Sequence, residues 1–166
     1  MIIVVMGVSG SGKTTIGQQL AERLGWPFFD GDRFHPPANI DKMGRGIPLT
    51  DADRADWLAA IADRMRELIA VNRSGVFACS ALKQKYRDQL QIDPRAVHFV
   101  YLKGSYDLIW ARMQQRANHY MKPSMLASQF EALEEPADAL TIEIDRQPDH
   151  IVDEIIGTVI SQSANQ

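Results

Sequence analysis

A chain of 166 residues with 18 Lys and Arg against 21 Asp and Glu carries a formal charge of −3 and a pI near 5.8, which argues against a constitutive binder of nucleic acid or anionic membranes. Its length fits one domain with a core that needs neither disulfides nor structural metal, and 45% hydrophobic with 23% charged residues is an ordinary globular balance. The lone cysteine, Cys79, excludes an intrachain disulfide and points to a reducing compartment.

Ile2-Ile3-Val4-Val5-Met6 is a continuous, mostly β-branched run, the pattern of a strand buried on both faces. It has no basic leader and is far shorter than the roughly 20 apolar residues of a membrane span, so a cytoplasmic location is expected. Thr14 to Leu24 is predicted to be a helix with Ile16, Leu20 and Leu24 on one stripe, ended by Gly25. Pro27 to Asp30 reads as a short strand. The stretch from Arg33 to Thr50, broken by Pro36, Pro37, Gly44, Gly46 and Pro48, is expected to be irregular and to line a site. After Thr50 a long helix carries Trp57, Leu58, Ile61, Met65 and Leu68. Strands are predicted at Gly75 to Cys79, Val97 to Leu102 and Leu140 to Ile144. Helices follow the first two, the second from the cap Ser105, and a last helix carries Ile151, Ile155 and Val159. This alternation implies an α/β fold: a doubly wound, five-stranded parallel sheet with helices on both faces and ligands at the carboxyl ends of its strands.

Gly7-Val8-Ser9-Gly10-Ser11-Gly12-Lys13-Thr14, followed by Thr15, satisfies the Walker A pattern between a buried strand and an amphipathic helix. The glycines let backbone N–H groups turn inward around phosphate oxygens, the helix start adds its positive dipole end, and Lys13 reaches the β- and γ-phosphates. The Thr14 hydroxyl is a candidate Mg²⁺ ligand. GTPase switches, ATPase motors and small-molecule kinases share this cradle. No guanine-reading Asn-Lys-x-Asp occurs, and Asp41-Lys42-Met43-Gly44 does not follow a strand, which argues against a switch.

Asp30-Gly31-Asp32 falls at the end of the second strand, where an extended backbone places both carboxylates on one side. Asp30 is the candidate metal ligand and Asp32 the candidate acceptor of a hydroxyl proton. His35, Lys42 and Arg54 are candidates for holding an anionic substrate. Lys83 and Arg87, one helical turn apart, are expected to project from one face for the same purpose. There is neither a Cys/His zinc spacing nor a Gly-x-Ser-x-Gly element.

Four blocks together resemble the bacterial gluconokinases: Asp30-Gly31-Asp32-Arg33-Phe34-His35-Pro36 with Asn39-Ile40-Asp41-Lys42-Met43; Gly46-Ile47-Pro48-Leu49-Thr50-Asp51-Ala52-Asp53-Arg54; Cys79-Ser80-Ala81-Leu82-Lys83 with Tyr86-Arg87-Asp88; and Arg116-Ala117-Asn118-His119-Tyr120-Met121 with Ser128-Gln129-Phe130 and Leu133-Glu134. The resemblance runs from Ile3 to about Asp145. It implies a P-loop, nucleoside-monophosphate-kinase-like enzyme that uses ATP and Mg²⁺ to phosphorylate gluconate at its 6-hydroxyl, in a group that is often homodimeric. It further implies that Arg112 stacks on adenine and that Arg116 steadies transition-state charge. The domain would be single, 1–166, with a substrate-binding insert over about 33–54 and a helical lid over about 117–134 that includes His119. The chain departs from the family at Asn118, Tyr120 and Lys122. Two alternatives stay open. One is a kinase for another small acid such as shikimate, although no Gly-Gly-Gly substrate loop is present. The other is a protein that uses nucleotide only to switch its shape.

Overall fold

The computed structural model describes residues 1–116 and 123–164. Five parallel strands, β1 (Ile2–Met6), β2 (Phe28–Asp30), β3 (Gly75–Ala78), β4 (Val97–Lys103) and β5 (Leu140–Glu143), form one sheet in the order β2-β3-β1-β4-β5. Ile2 stands opposite Gly75 on one side and Val97 on the other, so β1 is the central strand. All five of its residues are completely buried, as the unbroken apolar run requires of a strand covered on both faces.

The two-residue period splits that run between two cores. Ile3 and Val5 pack with α1 (Lys13–Leu24), through Ile16 and Leu20, and with Ile151, Val152 and Ile155 of α7 (Pro148–Ile155). Ile2, Val4 and Met6 pack with α3 (Asp51–Ala70), through Trp57, Leu58, Ile61 and Met65, and with Tyr86 and Leu90 of α4 (Gln84–Leu90). The expected strands and long helices thus stand within a residue or two of their predicted bounds. The last helix continues from α7 through a π-helical stretch, Ile156–Ile160, to α8 (Ser161–Ala164). Among the described residues no helix is long and apolar enough to cross a membrane.

The stretch expected to be irregular is more ordered than its composition suggests. Gly31–Phe34 makes a 3₁₀ turn and α2 spans Pro37–Gly44. Pro37 opens α2 without penalty, because the first turn of a helix has no intrahelical use for the N–H that proline lacks. The following α3 starts on a capping box: Thr50 Oγ1 accepts the Asp53 N–H at 3.1 Å, and Asp53 Oδ2 accepts the Thr50 N–H at 2.9 Å. Lys42 of α2 closes the arrangement with 2.8 and 2.9 Å contacts to the same carboxylate.

Those bonds, the Lys42 ammonium first and the Thr50 N–H second, hold the Asp53 carboxyl down at about 2. The unfolded chain therefore binds the proton more readily, and stability from this group is complete above the ordinary value of 3.8 and lost as pH falls toward about 2. Asp53→Asn is expected to lower the urea midpoint at neutral pH. It should also flatten its decline over roughly pH 4 to 2, relative to the parent chain.

Candidate active site

The site begins where β1 stops. The loop from Gly7 to Gly12 is tied to the end of β3 by the Gly7 N–H, which donates to the Ser80 carbonyl at 3.3 Å. Gly10 lies in the left-handed region, at φ 77, and a Cβ there would stand 2.7 Å from Met113 of α5 (Tyr106–Gln114). Only glycine allows this turn and this contact together. Gly12 precedes the first turn of α1, on which Lys13 is half-buried and Thr14 and Thr15 are exposed. The Lys13 ammonium donates to the Val8 carbonyl at 2.9 Å. Burial pushes its pKa down, against the pull of the Asp32 and Asp30 carboxylates. Both carboxylates thus favour the charged form of the lysine. Cys79 itself is buried with its thiol pushed up to about 12, so it stays neutral.

The acidic pair is arranged differently from its expectation. The backbone is not extended through Asp32: it turns into the 3₁₀ segment at Gly31, and Asp30 Oδ1 accepts the Asp32 N–H at 3.0 Å. Asp30 is therefore the cap of the turn, while Asp32 is exposed. Gly31 is required by space, since a Cβ there would lie 2.4 Å from the Ala78 carbonyl oxygen. Its own carbonyl accepts the Trp57 indole N–H at 2.7 Å. Trp57 also stacks on His35, with ring centroids 4.3 Å apart. His35 is nearly buried, and its Nδ1 faces the Asn39 side-chain amide at 3.3 Å. Burial lowers its pKa, with Asp32 opposing and Arg54 adding to the shift.

The predicted anion-binding side chains divide into two groups. Arg54 and Lys83 meet around Tyr86: Arg54 donates to the Leu49 carbonyl at 2.6 Å and lies 5.6 Å from the Tyr86 ring centre, while Lys83 lies 5.8 Å from it and 3.6 Å from Asp51. Asp51 also accepts from the Tyr86 hydroxyl and from Lys85. Burial, then the bond to Asp51, pushes the Tyr86 hydroxyl up to about 12. Lys42 and Arg87 have structural partners instead. Lys42 is held by Asp53, as described above. Arg87 is 3% exposed and donates to the carbonyls of Ala81 (2.8 Å), Leu82 (3.0 Å) and Glu134 (2.8 Å) and to Gln84 Oε1 (2.9 Å). It does not share an outward face with Lys83. Those bonds brace a strained turn, because Ala81 has φ 44 in the left-handed region.

At the other end of the loop, Arg112 donates to the Ile144 carbonyl at 2.6 Å, beyond the end of β5, and Arg116 is exposed just past α5. His119, Asn118, Tyr120 and Lys122 lie outside the described residues. The described part of the expected lid is α6 (Pro123–Ala132). Trp57 escaped sequence reasoning as a site residue because its helical spacing fully accounts for it as core. Gln129 of α6, which contacts Ser9, belongs to the Ser128-Gln129-Phe130 block but carries no chemical signal of its own in the sequence.

A parallel sheet in this strand order, with a complete phosphate loop after its central strand and acidic groups at the next carboxyl end, defines a P-loop kinase fold. The shikimate kinase family profile matches residues 9–160. The gluconokinase of Gluconobacter oxydans (strain 621H) is 46% identical over 157 residues, covering 93% of this chain and 88% of that protein. The thermosensitive gluconokinase of Escherichia coli (strain K12) is 44% identical over 167 residues, covering 98% and 89%. A crystal structure of a gluconokinase from Sinorhizobium meliloti 1021 superposes with a TM-score of 0.88 at 44% identity, covering 98% and 93%. The chain belongs to the gluconokinase family.

Replacing Arg87 would leave buried carbonyls without partners. Arg87→Met is expected to cost about 2–4 kcal/mol in urea unfolding. The KM of the folded enzyme for its acceptor should stay within about twofold of the parent value, since the side chain is not presented to a ligand.

Proposed function

We propose that this chain transfers the γ-phosphoryl group of ATP to the 6-hydroxyl of gluconate, yielding 6-phosphogluconate and ADP. The observation that carries the reading is the complete phosphate loop after the central strand, with the Asp30–Asp32 turn at the carboxyl end of a nearby strand of the same parallel sheet, in a member of the gluconokinase family.

The loop amides and Lys13 hold the triphosphate, with the ammonium moving from the Val8 carbonyl onto phosphate oxygens. Asp32, exposed on the turn after β2, orients the attacking hydroxyl and accepts its proton. Arg54 and Lys83, gathered around the neutral Tyr86 hydroxyl, grip the carboxylate and hydroxyls of the sugar acid, with His35 supporting the turn that carries Asp32. Arg112 contacts adenine, and Arg116 meets charge developing on the transferred group.

Among the described residues no group of three or more His, Cys, Asp or Glu side chains could hold a metal by itself. Mg²⁺ in phosphoryl transfer takes only one or two protein oxygens and completes its shell with phosphates and water, so Thr14 and Asp30 form a fitting donor set. When bound, the ion would neutralise phosphate charge. A single domain over 1–166, with its substrate-binding insert over about 33–54, a cytoplasmic setting and a homodimeric state complete the proposal.

The test is ADP release against a panel of gluconate, its epimers, shikimate, nucleoside monophosphates and no acceptor, with the product identified by mass spectrometry. Gluconate-dependent release with 6-phosphogluconate is expected, and a different preferred acceptor would overturn the substrate assignment. Asp32→Asn should lower kcat by about 10²–10⁴-fold while MgATP affinity stays within about twofold. Unchanged turnover would remove Asp32 from its role.

A further inference from the structure

The peptide group between Val8 and Ser9 is held from both ends. Its carbonyl accepts the Lys13 ammonium at 2.9 Å and the Ser11 N–H at 3.2 Å. Its N–H donates to Gln129 Oε1 at 2.6 Å, and Gln129 Nε2 in turn donates to Ser9 Oγ at 2.9 Å. A backbone N–H can only donate, so the orientation of the Gln129 amide is fixed by chemistry. In a planar trans peptide the N–H and C=O point in opposite directions. Whatever holds the Ser9 N–H therefore also aims the Val8 carbonyl on which Lys13 rests.

The helix that supplies Gln129 is itself firmly seated. Leu126 is completely buried, and the Phe130 ring centre lies 5.8 Å from that of Tyr106 on α5. Just beyond α6, the Glu134 N–H donates to the Leu82 carbonyl at 2.8 Å. The same helix is thus joined to the phosphate loop and to the turn that carries Lys83.

We propose that Gln129 is a positioning residue for phosphoryl transfer: through Ser9 it fixes the Val8–Ser9 peptide plane, and with it the resting place of the Lys13 ammonium. The inference rests on the phosphotransferase reading but not on the identity of the acceptor. Gln129→Met keeps the side-chain volume and removes both bonds.

MgATP affinity by calorimetry, steady-state kinetics and thermal unfolding would be measured on the parent chain, Gln129→Met, Ser9→Ala and the double variant. Gln129→Met is expected to weaken MgATP binding and to lower kcat/KM for ATP about tenfold, with KM for gluconate within about twofold and a Tm shift of only a few degrees. Ser9→Ala, which keeps the N–H bond, should cost only about two- to threefold and nothing further in the Gln129→Met background, a coupling that independent sites do not show. Nucleotide kinetics within about twofold of the parent in Gln129→Met, or additive losses in the double variant, would overturn the proposal. If Gln129→Met does not fold, Gln129→Ala, which also removes both bonds at a side chain that is not fully buried, decides: an MgATP affinity about tenfold weaker supports the inference, and parent-like affinity overturns it. A parent chain that ignores gluconate would sink the substrate assignment alone, because the calorimetric comparison is independent of acceptor.

Discussion

The parallel seam between β1 and β3 sets the terms for the rest of the molecule. Beyond the paired strands it continues as two bonds, the Cys79 N–H to the Val5 carbonyl at 3.1 Å and the Gly7 N–H to the Ser80 carbonyl at 3.3 Å. Parallel strands present all their carboxyl ends at one edge, so this register delivers the phosphate loop and the β3–α4 turn to the same place. The acidic turn after β2 joins them because Gly31 packs directly on the Ala78 carbonyl. Charge then does what geometry has prepared: a half-buried ammonium, disfavoured by desolvation, rests on the Val8 carbonyl and has its charged form favoured by the Asp32 and Asp30 carboxylates.

Above that edge the polar groups sort by how many bonds they already own. Arg87 has four partners and is part of the frame. Lys42 has two contacts, both to one carboxylate, and fastens α2 to the start of α3. Arg54 bonds the Leu49 carbonyl and the Tyr86 hydroxyl through one of its guanidinium nitrogens, and Lys83 stands 3.6 Å from Asp51, an arrangement that leaves donors on both for a bound anion. Stability and recognition draw on the same residue types but on different numbers of existing contacts.

Much of this was legible in the sequence, for identifiable reasons. The β1 run, the Walker A loop and the stripe on α3 each combine a local pattern with a local consequence, and each stands where it was expected. The shared placement of Asp30 and Asp32 was legible too, but their division of labour was not: it depends on the chain turning at Gly31, and that follows from contact with β3, distant in sequence. The same holds for Arg87, whose spacing from Lys83 suggested a common face until the Glu134 carbonyl, 47 positions away, drew it inward. The insert reads as irregular because prolines break most helices, whereas Pro37 stands in the first turn of α2, where proline starts one. Sequence patterns report what neighbouring residues do to one another, and these were effects of residues far apart along the chain.

The central position of β1 also has a consequence for how the chain comes to be folded. The strand made first is the one that needs two later partners, and the nearer of them, Gly75, follows it by some seventy positions. At translation rates of about 5–20 residues per second, five consecutive apolar residues with both hydrogen-bonding edges open exist for roughly 4–15 seconds before β3 is even synthesised, and longer before β4 arrives. The sheet that makes the phosphate loop rigid in the finished protein thus exposes the newborn chain to a period in which its most buried strand is its most adhesive one. Shielding by the translation machinery or a chaperone matters most for Ile2 to Met6.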